Sequence, residues 1–208
     1  MTFSGFGAGA VGFLSGLADD NSKSYFDKHG HVYERDIRGP LEDLTAEAEA
    51  KYGPGRVMRP GRDMRFSTDK SPYRLTAAMW AGEVGGVYLS LGREHIEAGG
   101  GVYGPSRDQL QRARSAIAEK PLAAADLREI VTRLEAKSFE MAGPSLKTAP
   151  HGFGHDHEQI ELLRRTHFAA ITHLPVSASG ADVRAAWKRV KPLIAWAAEH
   201  VGAAMSWP

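Results

Sequence analysis

The spacing of hydrophobic residues changes near residue 55 and again near residue 104, and this change constrains the fold more than any other feature. Between them, VYLSLGR (residues 87–93) alternates apolar and polar side chains, which is the period of a half-buried β-strand. RLTAAMWAG before it and HIEAGGG after it are its predicted partners, joined through Gly85–Gly86 and around Gly92. Because parallel strands need longer crossovers, these tight glycine-bearing connections predict an antiparallel meander.

Before the meander, apolar residues recur at the three- to four-residue spacing of amphipathic helices. They predict a first helix over about 7–18 and a second helix capped by Asn21 or Ser22. A third helix restarts at Gly39–Pro40, since proline is tolerated at the first helical position, and it ends at Gly53–Pro54. The N-terminal part of the chain is therefore predicted to be helical.

The chain after the meander is predicted to form helices and one further strand, HFAAITHL. Two helices occupy residues 105–138, and the second of them starts at Asp126. A short helix capped by Asp156 precedes the strand. Asp182 then opens a terminal helix that Pro192 kinks or splits.

These elements together predict a single α+β domain over residues 1–208, in which an antiparallel meander sheet packs against N-terminal, central and C-terminal helices. The C-terminal helical segment, about 180–205, is expected to pack on the rest. A hydrophobic fraction of 42% and a charged fraction of 25% are those of an ordinary globular protein, and the length is ample for a core.

Charge and cysteine content exclude several classes of function. The net charge of +1 gives no global attraction to nucleic acid or to a membrane surface. The chain has no cysteine, which excludes disulfides, thiolate metal sites and cysteine nucleophiles and is compatible with the cytoplasm, the predicted location. The apolar start has no basic residue before Lys23 and is interrupted by glycines, so it predicts a buried amphipathic helix. No cofactor is predicted.

Positive charge is nonetheless concentrated in one basic segment, residues 59–74, which contains RDMRFSTDKSPYR. Five basic residues stand against two acidic ones there, a local net charge of +3. Arginine grips carboxylate or phosphate with two parallel hydrogen bonds, and nearby hydroxyl groups add neutral donors. The segment therefore supplies the parts of an anion site, with these candidate ligand-binding residues: Arg62, Arg65, Ser67, Lys70, Tyr73 and Arg74.

The alternative is that the basic segment is internal scaffolding. Its cations would then pair with acids of the same chain such as Asp63, Asp69 and Glu34. Exposed pairs of this kind contribute only about 0–1 kcal/mol each to stability. The sequence leaves both alternatives open.

The basic segment also resembles the central signature of a family of bacterial and fungal proteins, the domain of unknown function 2461. Three more blocks resemble the family in the same order along the chain, so that the resemblance covers roughly residues 3–175. The blocks are FSGFGAGAVGFLSGLADDNSKSYFDKHGHVYERDI, VYLSLGREHIEAGGGVYGPSRDQLQRAR and LKTAPHGFGHDHEQIELLRRTHF.

The resemblance implies membership of that family without a mechanism. It carries no assigned reaction, cofactor or catalytic residue. The sequence departs from the family pattern at Tyr25, where a tryptophan is expected, and at Glu158, where a proline is expected. The second departure affects the local geometry around His157.

Histidines cluster in HGFGHDHE, residues 151–158. Imidazoles and carboxylates suit zinc, nickel or iron, but the stretch lacks the i, i+4 pairing of helical zinc motifs, and no bound metal is predicted. His157 is instead the candidate catalytic residue, as a proton carrier near neutral pH. With Lys147 it is predicted to fold over the same cleft as the basic segment.

The leading hypothesis is a module that binds a small anionic ligand, a class that includes phosphate-bearing molecules, with or without catalysis. The second hypothesis is a structural or interaction protein. The third is a nucleic-acid-binding protein, which the near-neutral charge and the lack of a long basic surface disfavour. The sequence specifies neither the ligand nor the oligomeric state.

Overall fold

A computed structural model describes residues 2–62 and 70–204. Within these ranges the chain forms helices at both ends of the sequence and β-strands between and among them, as the spacing of apolar residues predicts. The helices are α1 (Ala10–Asp19), α2 (Lys23–Tyr33), α3 (Gly39–Tyr52), α4 (Arg107–Glu119), α5 (Pro121–Glu135), α6 (Ile160–Leu163) and α7 (Gly180–His200). The strands are β1 (Gly55–Val57), β2 (Ala77–Gly82), β3 (Gly86–Leu91), β4 (His95–Val102), β5 (Glu140–Met141) and β6 (Phe168–Pro175).

The described strands form one six-stranded sheet in the order β1-β2-β3-β4-β6-β5. The predicted meander is its β2-β3-β4 part, and the α+β class is confirmed. Short edge strands pair antiparallel at each side: Val57 lies opposite Met79, and Met141 lies opposite Ala170. The predicted buried side of β3 is indeed inaccessible to water at Val87, Leu89 and Leu91.

The chain divides into two compact units. The first unit comprises Met1–Gly82, Tyr88–Ala98 and His173–Ala185. The second unit comprises Glu83–Val87, Gly99–Thr172 and Ala186–Pro208.

In the first unit, α2 passes into α3 through a π-helical turn, Glu34–Arg38, so that the chain does not break at Gly39. Asp36 of this turn is buried, with 6% of its surface exposed. Its carboxylate accepts hydrogen bonds from Arg35 and from the backbone N–H of Gly9 (3.1 Å). A Cβ on Gly7 or Gly9 would collide with this carboxylate, so the glycines let the N-terminal segment approach the turn closely.

In the second unit, the triple glycine 99–101 lies inside β4 and is buried. A Cβ on Gly99 would collide with the carbonyl oxygen of Ala170, and one on Gly101 would collide with that of Phe168. Gly101 also has φ of +125°, which side-chain-bearing residues rarely adopt. The glycines therefore allow β4 and β6 to lie close together, and they do not mark a strand exit.

Two helix boundaries or caps differ from the sequence prediction, and of the two effects predicted for Pro192, a kink or a split, the structure excludes the split. Helix α5 begins at Pro121 instead of Asp126, because proline fits the first helical turn, where its missing N–H needs no partner. Gln159, and not Asp156, precedes α6. Pro192 lies inside α7, which is continuous across it.

Within residues 2–62 and 70–204, no helix combines the length and apolar character needed to cross a membrane.

Candidate functional site

The two ends of the basic segment are paired with each other in the first unit. Gly61 and Tyr73 form an antiparallel β-bridge. The N–H of Arg62 donates to the carbonyl of Pro72, and the N–H of Arg74 donates to that of Pro60, both at 2.8 Å. Since successive side chains of an extended chain point to opposite sides, Arg62 and Arg74 share one side of this pair and Tyr73 lies on the other. In such a pair, diagonal neighbours are about 7–8 Å apart.

Tyr73 attaches this pair to the start of α2. Its backbone N–H donates to Oδ1 of Asn21 (3.0 Å), and its carbonyl accepts from Nδ2 of the same side chain (3.1 Å). Its ring stacks on Phe26, with centroids 4.4 Å apart and planes 16° from parallel. Ser22 caps α2, since its hydroxyl oxygen accepts a hydrogen bond from the N–H of Tyr25. The side chain of Asn21 is therefore available to contact Tyr73.

Arg62 and Arg74 line a cleft of about 380 Å³ together with Leu75 and Thr76. We call these four residues the arginine cleft. Arg62 is half-buried there and Arg74 is exposed. A neighbouring cleft of about 220 Å³ shares Leu75 and Thr76 with it, so the two adjoin. The remaining lining residues of this neighbouring cleft are Ser90, Gly92, Arg93, Glu94, His95 and Glu97.

The acids predicted to neutralise the basic segment can be located only in part. Glu34 forms an ion pair with Arg38, with 3.5 Å between Oε1 and Nη1. No described acid forms an ion pair with Arg74. Asp63 and Asp69 lie outside the described residues, as do the candidate ligand-binding residues Arg65 and Ser67. Lys70 is described and exposed.

Lys147 and His157, the other candidate site residues, belong to the second unit. Lys147 is exposed. His157 is half-buried; its Nδ1 accepts a hydrogen bond from the N–H of Gln159 (3.0 Å), and its ring lies edge-on to Phe153 at 6.1 Å. Their approach to the arginine cleft stays a prediction.

A group that the sequence analysis missed lies on the first unit, where β4 and β6 adjoin. His95 and Glu97 on β4 and His173 on β6 bring three potential metal-ligand atoms within 4.8 Å of one another. Oε1 of Glu97 is 4.0 Å from Nε2 of His95 and 3.9 Å from Nε2 of His173. We call these residues the His–Glu–His group. In the part of the chain that the structure describes, no other set of three such side chains is so close, and the histidines of residues 151–158 form none.

The four sequence blocks, in their order along the chain, agree with one family. The family model described as "Conserved hypothetical protein (DUF2461)" matches residues 9–196. The chain belongs to this family. The resemblance predicted from the four sequence blocks is therefore confirmed, and the match extends past residue 175 into α7. No curated protein matches the chain.

Both candidate regions of this DUF2461 member lie inside the matched residues. The arginine cleft was foreseeable, because its two cations come from one unusually basic stretch. A weaker signal existed for the His–Glu–His group. His95 and Glu97 are two residues apart in a predicted strand and therefore share one side of it. Their partner, His173, is 76 positions beyond Glu97 along the chain, and only the pairing of β4 with β6 brings it near.

Proposed function

We propose that this DUF2461 protein binds a small anionic ligand, of the phosphate-bearing class, in the arginine cleft. The observation that carries the proposal is the placement of Arg62 and Arg74 on one side of a bridged pair, where both line the same cleft. Two guanidinium groups that line one cleft suit an anion with several oxygen atoms, because each can donate two parallel hydrogen bonds. The hydroxyl of Thr76 supplies a neutral donor in the same cleft.

The partial burial of Arg62 favours an anion as the occupant of the arginine cleft. Arg62 is half-buried, so its charge is less screened than that of a fully exposed side chain. Arg74 has no described acid as an ion-pair partner. A bound anion would pair with the exposed Arg74 and lie in the cleft that Arg62 also lines.

The rest of the predicted site follows from the chain around the bridge. Residues 63–71 join Arg62 to Pro72, so Arg65, Ser67 and Lys70 are near the bridge in sequence, and we propose them as further ligand contacts. If the protein also catalyses a reaction of the ligand, His157 is our candidate for proton transfer. Lys147 is our candidate for a further contact with the ligand.

Binding can be measured as thermal stabilisation by inorganic phosphate at constant ionic strength. A ligand that binds only the folded state at ten times its dissociation constant adds about 1.4 kcal/mol, which for a chain of this length raises the melting temperature by about 3–6 °C. We expect this rise in the wild type and its loss in Arg74→Ala. The matched control is Arg56→Ala, which removes an exposed arginine from β1, outside the cleft, and should keep the full rise.

Two outcomes would contradict the proposal. One is an equal rise in wild type, Arg74→Ala and the double variant Arg62→Ala/Arg74→Ala. The other is a melting temperature without phosphate that collapses in Arg74→Ala, which would show that the basic segment is scaffolding. Sulfate and nucleotides tested in the same way would distinguish a general anion site from a phosphate site.

A further inference from the structure

We infer that His95, Glu97 and His173 form a binding site for a divalent transition-metal ion, and that Zn²⁺ fits it best. The inference does not depend on the arginine cleft. It rests on three observations: the convergence of the three donor atoms, their attachment to neighbouring strands, and their access to water.

The three donor atoms lie close enough together to share one metal ion. Oε1 of Glu97 is 4.0 Å from Nε2 of His95 and 3.9 Å from Nε2 of His173, and the three potential ligand atoms lie within 4.8 Å of one another. The two imidazole rings are 4.4 Å apart in an edge-to-face arrangement. Ligands at zinc–ligand bonds of about 2.0–2.1 Å in tetrahedral geometry are separated by about 3.3 Å. A contraction of somewhat more than half an ångström brings the Glu97–histidine distances to that value, within reach of side chains on the surface.

The backbone holds the three side chains in this arrangement. His95 and Glu97 are alternate residues of β4, so both project to the same side of the sheet. Gly99, further along β4, lies against Ala170 and Ile171 of β6. The two strands run antiparallel. Glu97, two residues before Gly99 on β4, is therefore a neighbour of His173, two residues after Ile171 on β6. Sites on strands keep their geometry better than sites on loops.

The donor set favours transition metals over calcium and magnesium. Two imidazole nitrogens with one carboxylate oxygen suit Zn²⁺, Ni²⁺, Co²⁺ and Fe²⁺, whereas calcium and magnesium prefer sites made of oxygen atoms. Two histidines and one glutamate are also a ligand set found in zinc sites that keep a fourth, open position.

The exposure of the group leaves room for that open position. The side chains of His95, Glu97 and His173 are 44%, 36% and 46% exposed. His95 and Glu97 also line the neighbouring cleft of about 220 Å³. A metal ion held there would therefore be reachable by water or by a small ligand in that cleft. Exposed ion pairs contribute little to stability. Ion pairing alone therefore does not explain why these three side chains lie together.

The test is calorimetric titration of ZnCl₂ into the full chain, purified without a histidine tag and dialysed against a chelator. We expect one Zn²⁺ per chain with a dissociation constant below about 10 µM, and no binding of Mg²⁺ under the same conditions. His95→Ala, His173→Ala and the near-isosteric Glu97→Gln should each weaken zinc binding at least about tenfold. His151→Ala, which removes an exposed histidine of the 151–158 cluster, should leave the affinity unchanged.

A second readout follows the coordination itself. Co²⁺ in place of Zn²⁺ should give the visible absorption of a four- or five-coordinate site in the wild type, and Glu97→Gln should lose it. Melting temperatures in chelator show that the variants are folded. The inference is overturned if folded wild type binds no zinc at this affinity, if the double variant His95→Ala/His173→Ala binds it equally well, or if His151→Ala abolishes binding. Phosphate stabilisation in chelator tests the arginine cleft separately.

Discussion

Asn21 and Tyr73, 52 residues apart, exchange two hydrogen bonds between one side-chain amide and one backbone unit. The amide of Asn21 matches both the N–H and the carbonyl of Tyr73, as a neighbouring β-strand would. The contact fixes the end of the basic segment against the start of α2. Tyr73 immediately precedes Arg74 in the chain. The position of the arginine cleft therefore depends on a residue outside the basic segment.

Replacing Asn21 by alanine should lower the free energy of unfolding by about 1–3 kcal/mol, because a part-buried N–H and carbonyl lose their partners. Urea denaturation at neutral pH measures this. Lys23→Ala, in the first turn of α2, removes an exposed ion pair to Asp27 and keeps both hydrogen bonds between Asn21 and Tyr73, so it should leave the stability nearly unchanged. An Asn21→Ala protein as stable as the wild type would show that the two hydrogen bonds between Asn21 and Tyr73 do not stabilise the fold.

Gly101→Ala should be among the most damaging single substitutions in the second unit. The added Cβ meets the carbonyl oxygen of Phe168, and the residue has φ of +125°. We expect a loss of more than about 4 kcal/mol, measured by urea denaturation or, where the variant does not fold, by the yield of soluble protein.

Gly12→Ala is the control for Gly101→Ala. Gly12 lies in α1, and a Cβ there meets no atom within 4 Å. Alanine should stabilise the helix by about 0.5–1 kcal/mol, since glycine has more backbone entropy to lose. Equal effects of the two substitutions would contradict the packing of β4 against β6 described above.

Asp36 should make stability depend on acid pH. The hydrogen bonds from the Arg35 guanidinium hold the pKa of Asp36 below its usual value, with smaller help from the N–H of Gly9 and from His31. A lowered folded-state pKa contributes stability above the unfolded-state pKa of about 3.9, and that contribution is lost as the pH falls through the folded-state value.

The comparison is Asp36→Asn, which keeps the shape of the side chain but cannot ionise. We expect the variant to be less stable than the wild type at about pH 6, and the difference to shrink as the pH is lowered toward about pH 3. Urea denaturation at steps across this range measures both proteins. A difference that stays constant over the range would mean that the ionised carboxylate of Asp36 does not stabilise the fold.

Much of the fold could be predicted from local patterns. The alternation in VYLSLGR and the glycine-bearing turns specify β2, β3 and β4, and Ser22 and Pro40 lie where α2 and α3 need them. Edge strands β1 and β5 have three and two residues, too few to show a period. Their pairing comes from neighbours distant in the sequence, which no local pattern encodes.

The two candidate sites also differ in how far local sequence patterns predict them. The sequence predicted that Arg62 and Arg74 belong to one site, because both lie in the same unusually basic stretch. The His–Glu–His group could not be predicted, since β6 pairs with β4 only after three further helices and strand β5 of the chain. Asn21 was one of two predicted caps of the second helix; Ser22 is the cap, and the side chain of Asn21 contacts Tyr73.

Tyr73 offers a way to separate contact with a ligand from positioning of the arginines. Tyr73 is one of the candidate ligand-binding residues of the basic segment, and that stays a prediction. In the bridged pair, however, its side chain projects away from the side shared by Arg62 and Arg74, and its ring stacks on Phe26 at 4.4 Å. A stacked aromatic pair is worth about 0.5–1.5 kcal/mol beyond the area it buries.

Two substitutions distinguish the roles. Tyr73→Phe keeps the ring on Phe26 and removes only the hydroxyl, so we expect unchanged stabilisation by phosphate. Tyr73→Leu loses the stack, and we expect both a lower melting temperature and weaker stabilisation by phosphate, because the pair that carries Arg74 is no longer fixed to α2. If Tyr73→Phe alone abolishes the effect of phosphate at an unchanged melting temperature, the hydroxyl contacts the ligand and the positioning role is wrong. Thermal unfolding with and without phosphate, run in parallel on the three proteins, decides between them.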